Sequence, residues 1–266
     1  MTIFKYELKR HKKYILGWAI TLAVFILMMT PAYYSFMDVS QSTNELFETL
    51  GNNDFYKSVG VSMEHLTSPM GIYSFLTSFF MIASGIFGLH FGISIHTKEF
   101  EEKTSEYLYT KPHTRKEIFW AKAGTVFVGV VIVGVIYVIA SWLAMVLSRP
   151  EGPWGEFFLV SMSLLWVTLL FAAMGMLVGT IFSNNRSPLL TAGLVILVEY
   201  CINSFSNIVS SKGISFLSPY SFFSGAKISQ NGFYEIDYLI WYLVLFALFM
   251  IIAYRHFLKK DIQFRV

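Results

Sequence analysis

The chain has 266 residues, of which 55% are hydrophobic and only 14% charged, with a formal net charge of +3. A soluble domain carries roughly 25% charge, so this chain lacks the groups to solvate a water-facing surface, and so small a net charge argues against nucleic acid as a partner. A single cysteine, Cys201, excludes an internal disulfide and a cysteine metal cluster.

Crossing roughly 30 Å of hydrocarbon at about 1.5 Å per residue takes about 20 apolar residues. Six stretches meet that need: residues 14–37, 71–96, 117–148, 156–183, 187–210 and 238–257. The expected fold is therefore an all-α integral membrane protein, one transmembrane domain over residues 1–266 with six transmembrane helices. The first stretch is longer than the apolar core of a signal peptide and reads as a span that is kept.

Ahead of that span, residues 1–13 put Phe4 and Leu8 at helical spacing with Ile3 beside them and basic residues elsewhere. This predicts an interfacial helix on the inner leaflet that turns into the membrane near Tyr14. A plain basic topological anchor is the alternative. The outer loop, residues 38–70, is acidic and polar, and its Gly51-Asn-Asn-Asp54 run signals a turn. Glu45, Glu48, Asp54, Glu64 and His65 have no metal-ligand spacing, so the loop reads as solvated surface, and no metal is expected.

Between the second and third spans lies a charged insert, residues 97–115. On a helix from Thr97 to Tyr109, Phe100, Thr104, Tyr107 and Leu108 share one face, while Lys98, Glu99, Glu102, Ser105 and Glu106 lie mostly off it. Pro112 disfavours helix at Lys111 and forces a turn ahead of Arg115. Thr114 and Glu117 then have capping-box spacing for the helix that becomes the third span. The apolar face needs a groove or a lipid surface. Glu99, Glu101, Glu102 and Glu106 would be repelled by an anionic leaflet, so a protein partner is the better reading.

Lysine and arginine set the orientation. With both termini cytoplasmic, the inner segments hold 16 of the 20 basic residues, leaving Lys57, Arg149, Lys212 and Lys227 outside. That asymmetry fits the positive-inside rule and makes this a multi-pass cell-membrane protein with cytoplasmic N- and C-termini.

Within the spans, Glu199 is the one formally charged residue far from an end. A carboxylate at mid-membrane costs about 2.5–3.5 kcal/mol on insertion scales. Glu199 should therefore face the bundle interior, either as a pathway or proton group or as an interhelical hydrogen-bond partner, with Asn203 one turn on. His90 reads as an interhelical hydrogen-bonding group. Gly88/Gly92 and Gly175/Gly179 have the small-residue spacing that lets helices approach closely, for internal packing before dimerisation. Residues 212–237, with the run Gly213 to Gly225 interrupted by Pro219, are too apolar for a free loop. They read as a re-entrant or interfacial helical segment closing the outer side, or as an aromatic linker at the interface.

Phosphate-loop, paired-histidine zinc, Cys-x-x-Cys and nucleophile-elbow motifs are all absent from the sequence. The residues alone leave three classes open: a subunit driven by a partner, a secondary transporter or channel using Glu199, and an intramembrane enzyme.

The insert Glu99-x-Glu-x-x-Thr-x-Glu-Tyr-Leu-x-x-Lys-Pro-x-x-Arg-x-x-Ile-x-x-x-Lys122 resembles the coupling-helix signature of type-2 ABC transporter permeases. Phe4-Lys-Tyr-Glu-Leu-Lys9 and Leu217-Ser-Pro-Tyr220 carry the resemblance to both ends of the chain. Lys103 departs from it, standing where the family often has glycine. The resemblance implies the non-catalytic, membrane-spanning subunit of an ATP-driven exporter. Its partners would be separate ABC ATPase subunits, which bind ATP and Mg, a second permease subunit in a homo- or heterodimer, and membrane lipids. It further implies that Glu99, Phe100, Glu102, Thr104, Glu106, Tyr107, Leu108, Pro112 and Arg115 dock the ATPase. Glu199, Asn203, Pro219 and Tyr220 are then the candidates for pathway or gate.

Overall fold

The computed structural model describes residues 2–40, 69–101, 113–148, 153–182, 185 and 187–259. These residues are helical with no strand among them. Six long helices are apolar enough to span: α1 (Thr2–Ser40), α2 (Pro69–Glu101), α3 (Arg115–Ser148), α4 (Trp154–Ile181), α5 (Pro188–Val209) and, last in the chain, a helix over Ile236–Lys259. Three short helices, α6 (Lys212–Ser215), α7 (Pro219–Phe222) and α8 (Gly225–Asn231), precede that last one, which becomes α9. The all-α membrane architecture expected from the sequence is the one the chain adopts.

Two boundaries differ from expectation. No turn interrupts α1 near Tyr14: it runs unbroken for 39 residues, roughly 58 Å at 1.5 Å per residue. The expected separate interfacial helix over residues 1–13 is thus the first part of span one. The physical reason is a single buried stripe, with Glu7, Ile15, Ala19, Leu22, Ile26 and Thr30 all turned inward. The first turns follow that stripe along the bundle, where a leaflet would have used Phe4 and Leu8 alone. Likewise α2 does not stop at residue 96. Thr97 and Lys98 are buried residues of the same helix, so the start of the insert is a continuation of span two.

At the centre, α2 is the most buried of the six spans and lies parallel to α4. Two glycine pairs make their contact. A methyl group on Gly88 would meet the Thr168 carbonyl oxygen at 2.6 Å, and one on Gly179 would meet that of Ile93 at 2.7 Å. Methyl groups on Gly92 and Gly175 would clash with the backbone oxygens of Ala172 and Leu89. Both small-residue pairs therefore serve internal packing, backbone against backbone. This matters because lipid tails are as apolar as leucine, and close van der Waals contact has to replace the hydrophobic effect between spans.

Elsewhere α1 packs along α3, α9 lies on α4 and α3, and α5 leans on α2. Four hydroxyls inside the bundle are satisfied within their own helix. Thr125, Ser161, Ser163 and Thr168 each donate to the carbonyl four residues back, at 2.6–3.0 Å. Tyr73 shares a 2.7 Å hydrogen bond with Ser161, and Tyr137 donates to Thr77 at 3.3 Å. These side-chain bonds join α2 to α4 and α3 in a medium that offers no water. His90 shares a 2.7 Å hydrogen bond with Tyr14 of α1, an interhelical bond of the kind its sequence position suggested.

The glycine seam yields a clear test. Gly175→Leu should destabilise the purified protein by about 3 kcal/mol, since the clashing atom is backbone and cannot rotate away. Gly193→Ala, whose methyl meets nothing within 4 Å, should leave the thermal transition in detergent where it is.

Candidate functional site

Two regions hold the candidate residues: the base of the bundle, where α2 ends and α3 begins, and the opposite end, covered by α6–α8.

At the base, Lys98 of α2 forms an ion pair with Glu7 of α1, both almost fully buried. His11, one turn above Glu7, lies 3.7 Å from its carboxylate and 3.4 Å from Lys98 Nζ. Glu7 is the single acid among the basic residues that open the chain. That isolation was the signal available in the sequence. Lys98 itself read as a solvent-facing topological charge, and the structure corrects that. Lys122 is similar: it is 1% exposed and donates to the Ile95 carbonyl of α2 at 2.7 Å. A buried cation with good acceptors costs far less than an unpaired one.

The start of α3 is tied twice. Thr114 and Glu117 form a reciprocal capping box: the Glu117 N–H donates to Thr114 Oγ1 at 3.3 Å, and the Thr114 N–H donates to the Glu117 carboxylate at 3.2 Å. This satisfies two of the helix's orphan donors. Arg115 then donates to the Leu258 carbonyl at the end of α9, at 2.9 Å. Above these contacts Phe119 meets His96 of α2 and both Tyr254 and Phe257 of α9, with ring centroids 5.3–5.8 Å apart. Four helices, α1, α2, α3 and α9, are thus joined at the two ends of the insert.

Of the expected docking residues, Arg115 is the one whose side chain is described. Glu99 and Phe100 belong to the backbone of α2. Glu102, Thr104, Glu106, Tyr107, Leu108 and Pro112 lie outside the described residues.

At the opposite end, α6–α8 form a cap whose α7 is buried and whose α6 is largely exposed. Pro219 opens α7, where its missing N–H and fixed φ suit a first helical position. Ser218 donates to the Glu199 carbonyl at 2.9 Å, and Ser221 donates to Asn203 Oδ1 at 2.8 Å. Ser74 of α2 donates to the Gly225 carbonyl at 3.1 Å. Trp241 of α9 donates to Phe216 at 2.9 Å, and Tyr234 donates to Leu159 of α4 at 2.7 Å. Burial at that last site pushes the Tyr234 phenol above its usual pKa.

Tyr220 enters a socket. Its ring packs on Phe171 at 5.1 Å, and its hydroxyl lies where a methyl on Gly85 would be, 2.7 Å from that position. Neither the Tyr220 hydroxyl nor Glu199 Oε2 has a hydrogen-bond partner among the described residues. Asn203 bonds the cap and not Glu199, so the expected Glu199–Asn203 partnership is replaced by Asn203–Ser221. Beside Tyr220 a cavity of about 20 Å³ of mixed character is lined by Ser78, Asn203, Asn207 and Ser224 together with Met81 and Tyr200. That is room for about one water molecule. Glu199, Asn203, Pro219 and Tyr220 are brought to one end of the bundle. Among the described residues no group of three metal-ligating side chains occurs.

Removing one member of the base pair should cost more than removing both. Lys98→Met leaves a buried carboxylate unpaired, at about 3–5 kcal/mol, whereas Glu7→Leu with Lys98→Met should come within about 1 kcal/mol of the parent. Chemical denaturation of the parent, Lys98→Met, Glu7→Leu and the double variant in detergent measures this; equal losses in the single and double variants would contradict a buried pair.

A family model described as ABC-2 family transporter protein matches residues 1–262. No curated protein matches the chain.

Proposed function

The chain belongs to the ABC-2 family transporter proteins, and from that membership we propose that it is the pathway-forming subunit of an exporter driven by the ATP of separate ATPase subunits. It is a multi-pass membrane permease of an ABC transporter. ATP and Mg belong to the partner ATPase. The termini and the insert face the cytoplasm of the cell membrane, as the basic asymmetry requires. A second permease subunit, identical or related, completes the pathway, and the chain itself catalyses no reaction.

The base geometry carries this reading. Residues 99–109 are the docking segment, with Glu99, Phe100, Glu102, Thr104, Glu106, Tyr107 and Leu108 contacting the ATPase, and Pro112 and Arg115 transmit the motion. Whatever moves that segment moves the ends of α2 and α3. Lys98–Glu7 passes the displacement to α1, and Arg115–Leu258 passes it to α9. Closure of the ATPase subunits on ATP is the source of the push.

The far end of the same helices meets the cap. Neutral hydrogen bonds of the Ser218, Ser221 and Ser74 kind are worth about 1 kcal/mol each. A tilt of α2 against α5 can therefore release them one by one without unfolding a span. Tyr220 leaves the Gly85 socket, and Glu199 and Asn203 are exposed to the pathway. In this scheme α6–α8 are the gate, and Pro219 and Tyr220 its moving parts.

Two experiments examine the scheme. Phe100→Asp and Leu108→Asp should each abolish co-purification with the ATPase and its stimulated hydrolysis; undiminished binding would refute docking through the insert. Gly85→Ala should displace Tyr220, since the added methyl and the hydroxyl cannot share 2.7 Å. A cysteine placed at Ser221 and probed with a membrane-impermeant thiol reagent should then label about tenfold faster than in the parent. Unchanged labelling would argue against Tyr220 as the latch.

A further inference from the structure

Outside both regions, one face of α9 changes character near its end. Leu248, Ile252, Arg255 and Lys259 stand at i, i+4, i+7 and i+11, along one side of the helix. Leu248 is 43% and Ile252 41% exposed, and Arg255, His256 and Lys259 are exposed too. The end of this lane is a shallow, open surface groove formed by Ile252, Arg255, His256 and Lys259. Among the described residues these three basic groups take part in no ion pair. Arg115 of α3 donates to the Leu258 carbonyl on the same turn of α9.

The depth of this site is marked independently. Trp120 of α3, 57% exposed, lies 5.9 Å from the Tyr254 ring. Exposed aromatic residues at the end of a span sit at headgroup level. The lane is therefore apolar below that level and cationic at it. A phospholipid makes the same change over the same distance, from acyl chain to phosphate.

We propose that this lane is a binding site for an anionic phospholipid. The phosphate sits between Arg255 and Lys259 beside His256, and one acyl chain lies along Ile252 and Leu248. A second copy of the chain is a poorer occupant, because an isologous contact through this face would set like charges against each other. The site does not depend on ATP coupling, so its failure and that of the exporter reading are separable. Its place at the end of α9, next to Arg115, would let lipid composition bias the helix that receives motion from the base.

Native mass spectrometry of the full chain, purified into micelles containing phosphatidylglycerol and phosphatidylcholine, tests this. The parent should retain phosphatidylglycerol selectively. Arg255→Ala with Lys259→Ala should weaken that retention roughly thirtyfold, the loss of two cations at a surface. Arg255→Lys with Lys259→Arg should keep it. Leu248→Trp, which fills the lane and leaves every charge in place, should also reduce retention, and it keeps the test readable if the charge variant is unstable. Equal retention of both lipids would overturn the proposal. So would an equal loss from Lys5→Ala with Lys9→Ala, displacement by chain-free glycerophosphoglycerol at matched concentration, or a changed oligomeric state in the charge variant.

Discussion

The bundle depends on the backbone contact between α2 and α4. Gly88 and Gly92 on one helix and Gly175 and Gly179 on the other let carbonyl oxygens occupy the space side chains would need. Two apolar helices in lipid gain nothing by hiding from water. They must gain by touching, and small residues bring the most atoms within range. With α2 held against α4, the remaining spans have a fixed axis to pack around. Both the base and the cap hang on that axis, since Lys98 and Ser74 lie at opposite ends of α2.

The two ends are built from different interactions. At the base, charge is held by partners: Lys98 is buried and paired with Glu7, Lys122 is buried on a carbonyl, and half-buried Arg115 is on another. Separating buried charges is expensive, so these contacts move as a block. At the cap the buried bonds are neutral, most of them made by serine hydroxyls to a carboxamide and to carbonyls. Such bonds exchange cheaply for water. The one ion pair among the cap's described residues, Lys227 with Glu235, is partly exposed and so screened by water. A stiff end and a releasable end on the same helices suit the lever proposed for this permease.

Among the described residues, Tyr220 OH and Glu199 Oε2 at the cap end have no hydrogen-bond partner, and neither has Thr97 Oγ1 at the base. A buried polar atom without a partner raises the free energy of the conformation that contains it. The arrangement thus gives up part of its stability at both ends, the place where the gate is proposed to part among them.

Span number, span type, the capping box at Thr114 and Glu117 and the oddity of residues 212–237 were legible in the sequence alone. Each is a local property: apolar length against bilayer thickness, residue spacing against helical pitch, proline in an apolar run. The glycine spacings also announced close approach, although the partner of each pair was not readable. Fate of charge was a different matter. Lys98 and Lys122 read as topological charges, and the Glu7 region read as a helix on the leaflet surface. What overturned those readings was neighbours far along the chain, Glu7 for Lys98 and Ile95 for Lys122. Asn203 turned from Glu199 to Ser221 for the same reason, because the cap delivers a hydroxyl that no local pattern foretells. The sequence by itself determined that this chain lives in a membrane and how often it crosses, since lipid tests every residue alike. Which polar groups are buried, and against whom, only the tertiary structure decided, because a partner in space is chosen by packing and not by position in the chain.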